Sequence, residues 1–156
     1  MCRRLMPCVF LTLASLLPAH AQALKEAEIR ALFTGATVAG IYADGRSFSE
    51  YHAEDGRALG DNGYAPNTDA CWNTDGDKVC YHYGQRGDRK TFCFVVEKQG
   101  GDYNLRVADT GRLNAIATVI PGNPNAHGDG GRRWSCDDLL SRRGGMRMAG
   151  RKLVHP

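Results

Sequence analysis

Residues 71–107 read CWNTDGDKVCYHYGQRGDRKTFCFVVEKQGGDYNLRV, a succession of β-prone runs separated by glycine-containing turns. The chain is predicted to reverse between Asp75 and Gly76, again around Arg86-Gly87, and a third time at Gly100-Gly101. Tight hairpin turns need positive φ, which glycine adopts without strain, so each of these positions is a hairpin signal. The stretch therefore predicts four consecutive antiparallel strands.

The three reversals also predict which side chains oppose one another. The predicted pairs are Trp72 with Val79, Tyr81 with Phe92, Val79 with Phe94, Val96 with Leu105, and Phe94 with Val107. Side chains alternate between the two faces of a strand, so these residues share one face. Burying each contributes about 1.5–3 kcal/mol, enough to resist a slip of one residue. We interpret this face as the core, formed by Trp72, Val79, Tyr81, Tyr83, Phe92, Phe94, Val96, Leu105 and Val107.

The same alternation extends on both sides of this stretch. Further turns at residues 44–45, 55–56 and 109–111 bring the number of predicted strands to eight. The strands fall near residues 36–43, 47–54, 57–60, 69–74, 78–84, 90–98, 103–108 and 113–120. Both faces of the last strand are apolar, and the pattern does not indicate which one faces inward.

Two short helices are predicted beside the strands. Residues 23–33 place apolar side chains on one side at helical spacing, namely Leu24, Ala27, Ile29, Leu32 and Phe33. Ser135 is predicted to cap a second helix that ends at Gly144-Gly145. The predicted fold class is mainly β (α+β): an antiparallel up-and-down meander of seven or eight strands, able to close into a small lipocalin-like barrel or half-barrel, with a short N-terminal helix and a short C-terminal helix.

The first 21 residues have the layout of a secretory signal peptide. Arg3-Arg4 precedes an apolar run at residues 9–17, and Ala19-His20-Ala21 supplies a small-x-small cleavage site. The run is too short for a spanning helix, which needs about 20 residues. We predict that residues 1–21 are removed, that residues 22–143 form a single β-rich domain and that residues 144–156 form a basic flexible tail. The predicted localisation is periplasmic or secreted, with no stable membrane insertion after cleavage.

Charge is unevenly distributed along the chain. The net charge of the whole sequence is +3, and it falls to +1 without the two arginines of the leader. From Arg132 onward there are seven basic and two acidic residues, whereas the preceding domain is acidic. Such a tail can steer a protein toward an acidic partner. No cluster of basic and aromatic residues marks one ordered face, so nucleic acid is not predicted as a partner.

Four cysteines remain after cleavage, and an even number in an exported chain predicts two disulfides. The predicted register places Cys71 opposite Cys80, and Cys80 opposite Cys93, on the face away from the core. Cys80 therefore has two candidate partners, and Cys136 pairs with the cysteine left over. A metal site that combines these thiols with His82 needs them reduced, which an oxidising compartment disfavours. We predict no metal and no other cofactor.

Several short patterns within residues 31–97 carry a resemblance to known proteins. They are Leu32-x-Thr34-Gly35-x-Thr37-Val38-x-Gly40, Phe48-x-Glu50-Tyr51, Cys80-Tyr81-x-Tyr83 and Cys93-Phe94. In these positions the chain resembles small exported proteobacterial proteins of uncharacterised function. The resemblance implies a β-rich secreted domain in which cysteines of adjacent strands pair, with no catalytic residues to transfer. It favours Cys80 with Cys93 and Cys71 with Cys136, while Cys71 with Cys80 and Cys93 with Cys136 stays open.

Two polar groups are candidate sites. Glu50, His52 and Glu54 alternate onto one face of the strand at 47–54, as an acid–base pair or a metal site would require, but we interpret them as a solvent-facing polar edge. His127 lies in a glycine-rich stretch that can contribute to an anion or metal site, and we interpret that stretch as a flexible loop. An enzyme would need Glu50, His52 or His127 to meet in one pocket. The common hydrolase motifs are absent from the sequence, so no catalytic residue is predicted.

The sequence thus predicts a non-catalytic binding or accessory protein with an unknown small ligand. The alternative is an inhibitor or interaction protein that acts on a cell-envelope enzyme through the loops at residues 84–89 or 121–133. An apolar cavity inside the sheet, or an exposed aromatic patch, favours the first function. A rigid protruding loop favours the second.

Overall fold

The structure, a computed structural model, describes residues 21–139. The predicted signal peptide, apart from Ala21, lies outside this range. The predicted basic tail at residues 144–156 and the last four residues of the predicted domain also lie outside it. Within residues 21–139, no helix combines the length and the apolar character needed to cross a membrane.

The main elements of the described chain are one complete helix and nine strands. They are β1 (Gln22–Ala23), α1 (Glu26–Phe33), β2 (Ala36–Tyr42), β3 (Ser47–His52), β4 (Ala58–Asp61), β5 (Cys71–Thr74), β6 (Val79–Tyr83), β7 (Lys90–Gln99), β8 (Asp102–Val107) and β9 (Leu113–Pro121). All eight predicted strands are present as β2 to β9, with ends that agree to within two residues. The short strand β1 lies outside the prediction and pairs with the end of β7.

The eight longer strands form an up-and-down sheet that curls into a nearly closed barrel. Their hydrogen-bonded order is β4-β3-β2-β9-β8-β7-β6-β5, so the pairing of β2 with β9 joins the two halves of the meander. The edge strands β4 and β5 approach each other through a bridge between Arg57 and Cys71. The amide of Ala58 also donates to the carbonyl of Ala70 at 3.0 Å. This architecture confirms the predicted fold class.

Two of the three predicted hairpin registers are confirmed. In the β6–β7 hairpin Tyr81 lies opposite Phe92, and Cys80 lies opposite Cys93. In the β7–β8 hairpin Val96 lies opposite Leu105. The alternation of apolar residues and the positions of the glycines were therefore sufficient to align three strands.

The register of the first hairpin is wrong. The observed pairs are Trp72 with Tyr81 and Cys71 with His82, where the prediction had Trp72 with Val79 and Cys71 with Cys80. The turn is centred between Gly76 and Asp77, because the amide of Asp75 donates to the carbonyl of Lys78 at 3.0 Å. Gly76 has a φ of 57°, and a type II′ turn requires positive φ only at this first central residue. The pairing moves by two positions, so every side chain keeps its predicted face.

Most of the predicted core face is inside the barrel. Its buried members are Trp72, Val79, Tyr81, Val96 and Leu105, and its half-buried members are Tyr83, Phe94 and Val107. Phe92 is the exception at 49% exposed, because it stands near the start of β7 at the open end of the barrel. On β9 the small residues Ala115 and Ala117 face the core and Ile116 faces outward, which answers the question that the sequence left open.

Helix α1 packs on the barrel through Ile29 and Phe33, which helical spacing correctly predicted as buried. Ala27, predicted on the same side, is exposed. The helix begins at Glu26, three residues later than predicted, because the chain before it forms β1. Asp77, from the β5–β6 turn, accepts a hydrogen bond from the amide of Glu26 at 3.0 Å. A distant residue thus supplies the acceptor that the first turn of a helix requires.

Two disulfides connect Cys71 to Cys136 and Cys80 to Cys93, the pairing that the resemblance implies. The second joins directly opposed residues of neighbouring strands, whereas the first fastens the chain after β9 to β5. The Oγ of Ser135 accepts from the amide of Asp137 at 3.2 Å, and residues 137–139 are helical. The rest of the predicted C-terminal helix lies outside the described residues.

Candidate functional site

A cavity of 840 Å³ opens at one end of the barrel. Its lining comes from the strand ends beside the β2–β3, β4–β5, β6–β7 and β8–β9 connections. Helix α1 packs against β2 and β5 and lies at the other end, next to the β5–β6 turn. Small-molecule sites typically occupy about 300–1,000 Å³, so this barrel cavity has the size of a ligand site.

Seven aromatic residues line the barrel cavity. Tyr42 and Phe48 stack with their ring centroids 4.7 Å apart, and the centroids of Tyr83 and Phe92 are 6.1 Å apart. The aromatic residues that line the cavity are Tyr42, Phe48, Tyr64, Tyr81, Tyr83, Phe92 and Phe94. Aromatic rings present negative faces, so these walls accept apolar groups and cations more readily than anions.

Glu50 supplies a carboxylate at the inner end of the cavity, where it is only 3% exposed. Its Oε1 accepts hydrogen bonds from Nδ2 of Asn67 at 2.6 Å and from the hydroxyl of Tyr83 at 3.3 Å. Asn67 is itself held in place, because Nδ2 also donates to the carbonyl of Ala58 at 3.1 Å. Its backbone amide donates to the carbonyl of Gly60 at 2.7 Å. The carboxylate and the amide therefore form a fixed pair, which we call the polar floor.

Burial raises the pKa of Glu50 from its ordinary value of 4.5 to about 7. The negative charge of Asp61 adds to the rise, and the hydrogen bonds from Asn67 and Tyr83 oppose it. Among residues 21–139, no salt bridge involves Glu50. At neutral pH this carboxyl group is therefore divided between its protonated and its ionised form.

His52 is fully buried between the barrel cavity and helix α1. Its Nε2 lies 2.8 Å from the hydroxyl oxygen of Tyr81, and its ring centroid lies 5.0 Å from that of Trp72 and 5.3 Å from that of Phe33. Burial lowers the pKa of His52 to about 3, against smaller opposing effects of nearby backbone groups. The imidazole is therefore neutral at pH 7.

The interpretation of Glu50, His52 and Glu54 as a solvent-facing edge is wrong for the first two residues. Glu50 and His52 face the interior of the barrel, and only Glu54, beyond the end of β3, is exposed. Phe48 lies on the same face of β3 and is 6% exposed. This apolar residue, two positions before Glu50, was the sequence signal that the face is buried. Closure of the barrel by β2 and β9 makes that face an interior.

His127 lies on the outside of the barrel, away from Glu50 and His52. Its Nε2 is 2.8 Å from Oγ of Ser49, which stands on the face of β3 opposite to that of Glu50. The three candidate residues therefore do not meet in one pocket. Within the surrounding stretch, Asn123 Nδ2 donates to the carbonyl of His127 at 2.8 Å, and the amide of His127 donates to Oδ1 of Asn123 at 2.9 Å.

Side-chain contacts hold the chain at and beside the two candidate interaction loops. In the loop at 84–89, Arg89 makes two hydrogen bonds to the carboxylate of Asp138, at 2.8 and 2.9 Å. These bonds and the charge of Arg89 outweigh burial and hold the pKa of Asp138 below its ordinary value. In the chain after β9, Trp134 donates from Nε1 to the carbonyl of Ala70 at 2.9 Å, close to the Cys71–Cys136 bond.

Charged and aromatic side chains surround the mouth of the cavity. The guanidinium carbon of Arg46 lies 3.3 Å from the ring centroid of Tyr64, and its Nε is 3.1 Å from Oδ2 of Asp44. Tyr64 is 77% exposed. A cation therefore already lies against an aromatic ring at the mouth of the cavity.

Sequence reasoning missed the polar floor. Asn67 lies in a turn after Pro66, and nothing in its immediate neighbourhood distinguishes it from a solvent-exposed turn residue. The residue becomes part of the site because the β4–β5 connection folds over the barrel end. Within residues 21–139, no group of three or more His, Cys, Asp and Glu side chains is arranged to hold a metal ion.

No protein-family model, curated protein or solved structure matches this chain. The resemblance to small exported proteobacterial proteins therefore stays a prediction. The function proposed below is inferred from the geometry of the barrel cavity.

Proposed function

We propose that this protein is an exported, non-catalytic binding protein that holds a small, largely apolar ligand in the barrel cavity. The observation that carries the proposal is the 840 Å³ cavity with aromatic walls at the open end of the barrel. A concave site of this size, with aromatic side chains beside a small number of buried polar groups, is typical of small-molecule binding sites.

Two aromatic residues at the mouth support this function. Phe92 is 49% exposed and Tyr64 is 77% exposed, and both line the cavity. Exposed aromatic rings contribute less to folding than buried ones, and their concentration at a concave mouth is typical of a binding surface. Two disulfides are also what a protein of an oxidising compartment is expected to contain, which supports export to the periplasm or beyond.

Binding of the neutral fluorescent dye Nile red tests the proposal. We expect one saturable site on the wild-type protein, detected by the rise and blue shift of dye emission. Phe92→Ala is expected to weaken binding about tenfold, because the dye loses an aromatic contact worth about 1–1.5 kcal/mol.

Ile120→Ala is the matched control. Ile120 is 39% exposed, against 49% for Phe92, but it faces outward from β9 and does not line the cavity. It should leave the dye affinity unchanged. The proposal fails if the dye does not saturate, or if the two variants weaken its binding equally.

A further inference from the structure

We infer that the ligand of the barrel cavity carries a protonated amine, which binds the carboxylate of Glu50 while the aromatic walls surround its apolar body. This inference rests on the proposed binding function and names the class of its ligand. It depends on the hydrogen bonds of the polar floor, on the nature of the walls and on the charges that face Glu50.

When Glu50 is ionised, the polar floor has spare acceptors and no spare donor. Nδ2 of Asn67 has two hydrogens, and both are used, toward Glu50 and toward the carbonyl of Ala58. The hydroxyl of Tyr83 also donates to Glu50. Among the described residues, Oε2 of Glu50 accepts no hydrogen bond, and Oδ1 of Asn67 is buried without a partner. A ligand that donates hydrogen bonds matches this floor, and a ligand carboxylate or phosphate does not.

The walls favour a positive charge. Rings contributed by β2, β3, β6 and β7 line the same cavity as Glu50. A cation over such a ring gains about 0.5–2 kcal/mol, with the larger value where water is excluded. Arg46 already lies against two rings of this wall, 3.3 Å from the centroid of Tyr64 and 5.8 Å from that of Tyr42.

The groups that face Glu50 leave its charge uncompensated. Asp61 on β4, Tyr42 on β2, and Tyr81 and Tyr83 on β6 are acidic or neutral, and each interacts electrostatically with Glu50. The remaining charged residues of the lining are three anions and three cations, Asp44, Arg46, Asp69, Asp88, Lys90 and Arg112. None of these six is buried. A buried carboxylate without a counter-ion is unfavourable, and an ammonium group placed beside it supplies one.

Three probes that share one apolar body test the inference. 4-Phenylbutylamine, 4-phenylbutanol and 5-phenylpentanoate carry the same phenylbutyl body and differ only in a cationic, neutral or anionic head group. Their affinities are measured at pH 8 by displacement of Nile red and by isothermal titration calorimetry. The proteins compared are the wild type, Glu50→Gln and, as a charge-matched control, Glu54→Gln, which changes an exposed residue outside the cavity.

We expect the amine to bind the wild type and Glu54→Gln at least tenfold more tightly than the alcohol, with the carboxylate weakest. In Glu50→Gln the amine and the alcohol should bind equally, because the glutamine keeps an acceptor for Asn67 and Tyr83 but loses the charge. A second measurement needs no variant. Wild-type affinity for the amine should fall about tenfold from pH 8 to pH 6, because Glu50 becomes protonated while the amine stays charged.

Equal binding of the amine and the alcohol to the wild type overturns the inference and leaves the binding function standing. Tightest binding of the carboxylate also overturns it, because Glu50 would then act as a protonated donor. Failure of all three probes to displace Nile red also overturns the inference and leaves the binding function standing. If Nile red itself does not bind, the proposed function fails as well.

Discussion

Nε2 of His52 lies 2.8 Å from the hydroxyl oxygen of Tyr81, and this contact joins β3 to β6 across the interior of the barrel. The two strands are not neighbours in the sheet, so the contact links different walls. Burial favours the neutral form of both groups, because it lowers the pKa of His52 and raises the pKa of Tyr81. Both side chains are therefore neutral, and they share a hydrogen bond that water does not weaken.

The pH dependence of stability should report the burial of His52. Its pKa is about 3 in the folded protein and 6.5 in the unfolded chain, so the unfolded chain binds more protons between these values. The contribution to stability is present above pH 6.5 and is lost as the pH falls toward 3. His52→Gln keeps an acceptor for Tyr81 and removes this titration. From pH 7 to pH 4.5, the wild type should lose about 2 kcal/mol more than the variant in urea denaturation. Equal losses would show that His52 is accessible to protons in the folded state.

Titration of Glu50 should change the stability of the protein with pH in the opposite direction to that of His52. Its pKa is raised from 4.5 to about 7, so the folded protein binds more protons than the unfolded chain within this window. The contribution of Glu50 to folding stability is most favourable below pH 4.5 and declines as the pH rises through 7. Glu50→Gln should therefore gain about 2–3 kcal/mol relative to the wild type between pH 4.5 and pH 8, measured by urea denaturation. Glu54→Gln should show no such gain, and a parallel response of both variants would contradict the prediction.

The two disulfides should contribute unequally. Cys71–Cys136 closes a loop with a sequence separation of 65, and Cys80–Cys93 closes one of 13. In the chain-entropy model, these loops correspond to about 4 and about 3 kcal/mol. Replacing both cysteines of each pair by serine and measuring the free energy of unfolding tests this order. The indole N–H of Trp134 donates to the carbonyl of Ala70, and its hydrogen exchange should lose protection only in the variant without the Cys71–Cys136 bond. Equal protection in both variants would mean that hydrogen bonds alone hold that part of the chain.

Gly60 should be intolerant of a side chain. Its φ is 123°, and a Cβ there would overlap the carbonyl oxygen of Ser49 and lie 3.1 Å from the ring of His127. Gly60→Ala is expected to cost about 3 kcal/mol and to displace His127, which its ring resonances would report. Gly111→Ala is the control, since Gly111 has a φ of 67° but open space around its Cβ position. It should cost about 1 kcal/mol, and a similar loss at both sites would contradict the steric explanation.

Part of the candidate site was visible in the sequence. Tyr81, Tyr83, Phe92 and Phe94 were placed on one face because strand alternation and glycine turns are properties of neighbouring residues. The pattern did not distinguish a buried ring from one that lines a cavity, so Phe92 was expected in the core. Whether a ring is buried or lines the cavity depends on its position along the barrel axis. The sequence of one strand does not encode that position.

By itself, the sequence determined the eight strands, two of the three hairpin registers, the faces of the central strands and the amphipathic side of α1. All of these follow from residues a few positions apart. Only the tertiary structure decided that Glu50 and His52 face an interior, that Asn67 joins the polar floor and that His127 lies outside. The physical reason is the pairing of β2 with β9, residues about 80 positions apart such as Val38 and Val119, which turns one face of a meander into the inside of a barrel.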